Sequence, residues 1–229
     1  MDSNGNLAVA DNAGHLLIYT APISNASTPS ATFANAAQNG FVAFAPNGDL
    51  VASAFNSGMG FVSSQINLYT QPLSSASTVS QVVKTTDGST ISGLAVDGSR
   101  NLYVSSSGVD IGGLFNDISA FAPPWTGAPL ISRFPTADST VGVAAVSATQ
   151  LFVCDSGGFV VIADLPFVPS GSGTASLFIN SNSCSGLAVD SSGNLYVADR
   201  NIGIYAPPFT QSSVPIMTLN ANGNIAIGK

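Results

Sequence analysis

Residues Ser185–Phe209 read SGLAVDSSGNLYVADRNIGIYAPPF. An apolar run, Gly186 to Val189, leads through an Asp-Ser-Ser-Gly-Asn turn into a second apolar run, Leu195 to Ala198. A third, Ile202 to Tyr205, ends in a proline pair and an aromatic residue. Short runs rich in Val, Ile and Tyr, bounded by Gly, Asn, Asp and Ser, signal strands joined as hairpins. The stretch therefore predicts three consecutive antiparallel strands.

Its parts recur. GLAVDGSRNLYVSSS begins at Gly93, VAFAPNGDLVASAFN at Val42, GVAAVSATQLFVCDS at Gly142 and MDSNGNLAVADNAGHLLIYTAPI at Met1. In each copy a further run ends on a proline-plus-apolar signal: Tyr19 to Ile23, Tyr69 to Leu73, Phe121 to Trp125, Ala163 to Phe167 and Tyr205 to Phe209. The residues closing these signals, Ile23, Leu73, Trp125, Phe167 and Phe209, are expected to pack between repeats, and a last apolar run follows, such as APLISRF or VPIMTL. Each unit reads as four strands. The leucine of the second strand stands at Leu7, Leu50, Leu102, Leu151 and Leu195, at separations of 43, 52, 49 and 44 residues. Propeller blades repeat every ~40–50 residues. The first two runs are continuously apolar, which suits strands with neighbours on both faces.

The first copy begins where its own first strand should end. The last residues, GNIAIGK (Gly223 to Lys229), match the position of that strand in the other copies. The fold expected is an all-β, five-bladed β-propeller of four-stranded blades, closed by a clasp of the C-terminal strand with the N-terminal strands. The expected blades are 1–39 with 224–229, 40–89, 90–139, 140–183 and 184–223, forming one domain over 1–229. Closure of this kind leaves no inner sheet edge open. GNIAIGK also spells G-x-x-x-x-G-K, but a phosphate-binding loop needs a following helix and a Ser or Thr. Strand placement accounts for it better.

Composition agrees. Of 229 residues 45% are hydrophobic and only 7% charged, and all twelve acidic residues are Asp. Helix surfaces are normally built from Glu, Lys, Arg and Gln, so helices are not expected. A surface covered by Ser, Thr, Asn and Gly suits an extracellular, cell-surface or periplasmic protein. The net charge of -7 with five Lys and Arg argues against nucleic acid, which needs clustered cations. No apolar run has the length of a membrane span.

The pattern G-L-A-V-D-x-x-G-N-L-Y-V-A-D, followed by a short turn and I-x-x-Y, resembles the NHL-repeat and related lactonase-type β-propellers. The resemblance covers essentially the whole chain, and it implies architecture more than function. Members more often have six blades, so five is a departure. Lactonases of this group use a metal site with a Glu ligand, and the lyases use metal-bound histidines. This chain has no Glu and one histidine, His15. Inherited catalysis is therefore not expected, nor is a Ser-His-Asp triad or a multi-histidine zinc site.

Three groups of residues remain as candidates. Asp11, Asp155 and Asp199 end the second strand of three copies, where carboxylates could ring a calcium ion near the axis; the competing and favoured reading is that each ties down its own turn. Cys154 and Cys184 are expected on one face, either as a disulfide or as two buried thiols. Finally, the connections Phe55 to Gln65 and Ser107 to Asp117 are long, Gly-rich and apolar. Met59, Phe61, Ile111, Leu114 and Phe115 there form a candidate partner patch, with Asp110 and Asp117 at its rim. The expected function is a non-enzymatic extracellular scaffold that recognises a protein or glycan through this face. The alternative is a propeller-type hydrolase or lactonase with a cation on the axial Asp residues.

Overall fold

The computed structural model of the chain describes residues 1–11, 13–35, 40–56, 63–85, 89–110, 113–127, 129–133, 140–145, 150–155, 158–164, 175–180, 184, 186–190, 192–198 and 200–219. Among these it is all-β, with nineteen strands and no helix. The strands form five antiparallel sheets, each built from consecutive strands in chain order.

Sheet I contains β1 (Leu7–Ala10), β2 (His15–Tyr19) and β3 (Ala31–Ala34). Sheet II contains β4 (Val42–Phe44), β5 (Leu50–Asn56), β6 (Ser63–Tyr69) and β7 (Gln81–Lys84). Sheet III is β8 (Ser89–Val96), β9 (Leu102–Asp110), β10 (Gly113–Phe121) and β11 (Leu130–Arg133). Sheet IV is β12 (Thr140–Ala145), β13 (Gln150–Asp155), β14 (Phe159–Asp164) and β15 (Ala175–Asn180). Sheet V is β16 (Gly186–Val189), β17 (Leu195–Ala198), β18 (Ile202–Tyr205) and β19 (Met217–Leu219).

The register repeats from sheet to sheet. The repeat leucine faces an aromatic residue across the hairpin in four sheets: Leu7 and Tyr19, Leu50 and Tyr69, Leu102 and Phe121, Leu195 and Tyr205. In sheet IV the partner of Leu151 is Ala163.

A shared turn sets this register. Asp2, Asp97 and Asp190 each accept two backbone N–H groups on Oδ1, at 2.8–2.9 Å, from residues two and four positions on. On Oδ2 each accepts the amide of the following Asn at 2.8 Å. The fourth turn position is left-handed: Gly5, Gly193 and, in sheet II, Gly48 have φ of 81°, 81° and 84°. Glycine takes that conformation without steric cost. In sheet III the same place is held by Arg100 at φ 66°.

The core lies between sheets rather than inside any one of them. Sheets I and II share a cluster that includes Leu16, Phe33, Leu50 and Tyr69. Sheets II and III share Val51, Ile66, Leu102 and Trp125; sheets III and IV share Tyr103, Ile118 and Leu151. Sheets IV and V share Phe152, Ile162, Leu195 and Tyr205. The first strands β1, β4, β8, β12 and β16 touch in that succession. Both faces of an inner strand are thus dry, and β13 is buried along its length from Leu151 to Asp155. Each such Leu, Ile or Phe contributes about 1.5–3 kcal/mol by leaving water.

Cys154 of β13 and Cys184, just ahead of sheet V, are joined in a disulfide with a Cα–Cα distance of 5.5 Å. Both are buried within the cluster shared by sheets IV and V.

Candidate functional site

Two ends of the sheets carry the polar chemistry. At the end where second and third strands meet, sheet I turns directly after β1 and sheet V directly after β17. Sheets II and III do not. The segment Ser107 to Asp117, expected as a loop, is instead a continuation of the β9–β10 hairpin: Ser107 pairs with Asn116, Gly108 with Phe115, Val109 with Leu114 and Asp110 with Gly113. β8 runs alongside, pairing Thr90 with Ser107 and Ser89 with Gly108. In sheet II, Phe55 pairs with Ser64 and Asn56 with Ser63, so the expected loop is partly strand there too. Ladder hydrogen bonds supply the order that Ser, Gly and Asn lack as strand formers. Two extended hairpins therefore stand side by side at one end of adjacent sheets.

Of the candidate patch, Asp110, Leu114 and Phe115 lie on these paired strands. Met59, Phe61 and Ile111 fall outside the described residues. Asp117 is not a rim residue: it is buried and sits opposite Ser106, which is buried as well.

Of the three candidate cation ligands, Asp11 and Asp155 are described and Asp199 is not. Asp11 holds its own turn. Its Oδ1 accepts the Ala13 and His15 N–H groups at 2.8 Å each, and its Oδ2 lies 3.0 Å from His15 Nδ1. The His15 backbone N–H foremost, helped by its side chain and the Ala13 N–H, holds the Asp11 carboxyl below its ordinary value against an opposing desolvation. Asp155 is buried at the end of β13. Among the described residues no group of three His, Cys, Asp or Glu side chains is placed to hold a metal ion. His15 is exposed and its ion-pair partner is Asp11.

The opposite end carries the Asp turns and the proline signals. The bonds Ala21–Pro22, Gln71–Pro72, Pro123–Pro124 and Pro207–Pro208 are all cis. The apolar residue after each was expected to pack between repeats. Leu73, Trp125 and Phe209 do so, each against the preceding sheet. Phe209 meets Phe152 edge-on, with ring centroids 5.2 Å apart. Ile23 instead remains exposed.

Sequence reasoning did not find two polar features. The first is a buried network between sheets I and II. Asn35 donates to the Ser53 carbonyl at 2.9 Å, while its Oδ1 accepts from Asn67 Nδ2 at 2.9 Å and from the Tyr69 hydroxyl at 3.0 Å. The second is the Arg100–Trp125 pair, whose one sequence signal is an arginine where the repeat has glycine.

No protein-family model matches the chain, and no curated protein matches it. Among solved structures, the chain is similar to a protein of unknown function from Bacteroides caccae. The two are 12% identical with a TM-score of 0.67, and the match covers 94% of this chain and 72% of that one. At this identity the likeness shows fold alone.

Proposed function

We propose that the chain is a non-enzymatic extracellular binding scaffold that recognises a protein or glycan partner through the extended hairpins of sheets II and III. In this reading the five sheets are blades of an NHL-like β-propeller, and residues 224–229 provide the missing first strand of sheet I. The succession of sheets sharing one core cluster per neighbouring pair supports the blade reading. The disulfide and the low charge support an oxidising compartment.

One observation carries the functional reading. The hairpins β5–β6 and β9–β10 project from adjacent sheets at the same end, the latter with nine-residue strands against four in sheet V. Segments that outgrow a rigid scaffold are where recognition concentrates. A hydrolase holding a cation on Asp11, Asp155 and Asp199 draws no support from Asp11, whose oxygens are engaged by its turn.

The test shortens the hairpins without changing register. Residues 57–62 are replaced by Asn-Gly between the paired Asn56 and Ser63, and residues 108–115 by Asn-Gly between the paired Ser107 and Asn116. Binding to a glycan array and to a panel of purified ectodomains is compared with the parent. Loss of a parent signal in a variant of unchanged melting temperature is the expected result. Binding that survives both replacements overturns the reading.

A further inference from the structure

The repeated turn holds two Asn-Gly pairs in the same place. Asn4-Gly5 and Asn47-Gly48 precede the repeat leucines Leu7 and Leu50, where sheets III and V carry Ser99-Arg100 and Ser192-Gly193. In an Asn-Gly pair the backbone nitrogen of the glycine reaches the asparagine side chain with little obstruction. Glycine has no Cβ in the way, and its backbone dihedrals yield readily. Attack by that nitrogen rearranges the chain, so the way each turn holds its asparagine decides the outcome.

Exposure does not separate the two, since both asparagines are exposed. Nor does the attacking nitrogen: Gly5 N–H donates to the Asp2 carbonyl at 3.1 Å, and Gly48 N–H to the Ala45 carbonyl at 2.9 Å. The side chains differ. Asn47 Nδ2 donates to Asp49 Oδ2 at 2.6 Å and Asn47 Oδ1 accepts the Asp49 N–H at 3.4 Å, so both ends of the amide are held. Among the described residues the Asn4 amide has no partner; its backbone N–H alone is bonded, to Asp2 Oδ1 at 2.9 Å.

We propose that Asn4 is a site of spontaneous modification through a succinimide, and that Asp49 protects Asn47 from the same reaction. Gly5 N bonds to Asn4 Cγ and gives up its proton, while the Cγ–Nδ2 bond breaks and ammonia leaves. Water then opens the ring at either carbonyl, which yields aspartate or isoaspartate. One water is consumed and one ammonia released; nothing is oxidised or reduced. In isoaspartate the main chain runs through the side-chain carbon, which inserts a methylene between residues 4 and 5. Asp2 Oδ1 then no longer spans the N–H groups of residues 4 and 6. Asn6, which also accepts the Ala21 N–H at 3.1 Å, loses its anchor. The modification thus acts on the turn that sets the register of sheet I.

To test this, the intact, disulfide-bonded protein is held in neutral buffer below its melting temperature. Peptide mapping scores each asparagine separately over time. Asn4 should convert about 10-fold faster than Asn47 or more, the factor that one charge-assisted hydrogen bond is worth. A folded Asp49→Ala variant should close that gap by freeing the Asn47 amide. Asn4→Ser, which installs the residue of sheets III and V, should keep its melting temperature on ageing while the parent's falls. Equal rates at the two sites overturn the proposal, as does an Asn4 that survives after the urea-unfolded chain has lost its own. A gap unchanged in Asp49→Ala overturns the protection, and an aged parent of unchanged melting temperature overturns the action on the turn.

Discussion

The guanidinium of Arg100 lies over the indole of Trp125, 5.8 Å from the ring centroid, while the indole Nε1–H donates to the Arg100 carbonyl at 2.8 Å. Both residues are left-handed, with φ of 66° and 63°. A non-glycine residue there costs ~1–2 kcal/mol, and a cation over a tryptophan returns ~0.5–1 kcal/mol at an exposed site. The bond from Arg100 Nη2 to Asp49 Oδ2, at 3.4 Å, adds little. Arg100→Ala keeps the strain and loses the stacking; Arg100→Gly loses both. The glycine variant should be more stable than the alanine variant by about 1 kcal/mol in denaturant titrations. Equal stabilities would mean the backbone at this turn is not strained.

Asp97 and Asp190 anchor the same turn in different surroundings. Asp97 is buried, and its Oδ2 also accepts from the Tyr103 hydroxyl at 3.0 Å. Asp190 is more exposed. Removing a buried acceptor costs ~1–3 kcal/mol for the donors it strands. Asp97→Ala should therefore destabilise by about 3 kcal/mol, and Asp190→Ala by about 1 kcal/mol. Urea unfolding of the two variants decides the order.

Acid should unfold the protein progressively. Burial alone would raise the Asp190 carboxyl, but hydrogen bonds from the Asn194 side chain and backbone, and from Ser192 and Tyr196, bring it below its ordinary 3.8. Asp11 is lowered too. A carboxyl depressed on folding stabilises above its unfolded value, and that contribution vanishes as pH falls through the folded one. Melting temperature should drop below pH ~4, and less steeply in Asp190→Asn. At the alkaline end, burial raises Tyr69 and, with the charge of Asp97, Tyr103 above their ordinary 10.0. Their contribution is complete below that value and lost above it, so Tyr103→Phe should flatten the alkaline fall.

The Cys154–Cys184 bond spans 30 residues and lies in a buried cluster. Replacing both cysteines with alanine should cost about 3 kcal/mol. In the native state the bond should resist reductant, with both thiols alkylated only after denaturant is added. Rapid alkylation of the reduced native protein would show that this seam opens readily.

The sheets were legible because one register repeats. Leu50, Leu102, Leu151 and Leu195 stand on second strands, Leu7 opens β1 of the three-stranded sheet I, and the Asp-led turns sit where spacing put them. The extended hairpin of sheet III was not legible, since Ser107, Gly108 and Asn116 are weak strand formers ordered by ladder partners. Burial of Asp117 was hidden for the same reason. The Asn35–Asn67 contact joins residues 32 positions apart in different sheets, and no local pattern announces it. Of the proline-linked positions expected to pack, Leu73, Trp125 and Phe209 do so, Ile23 stays exposed, and Phe167 lies outside the described residues.

The buried surface of this molecule is divided into slabs, each owned jointly by two consecutive sheets. Such a body has no centre whose loss is fatal to every part. Removing one internal repeat forfeits two slabs but brings together two faces of matching chemistry, which re-form one. Inserting a repeat does the reverse. Chain length in such proteins should therefore vary in steps of about one repeat of ~40–50 residues.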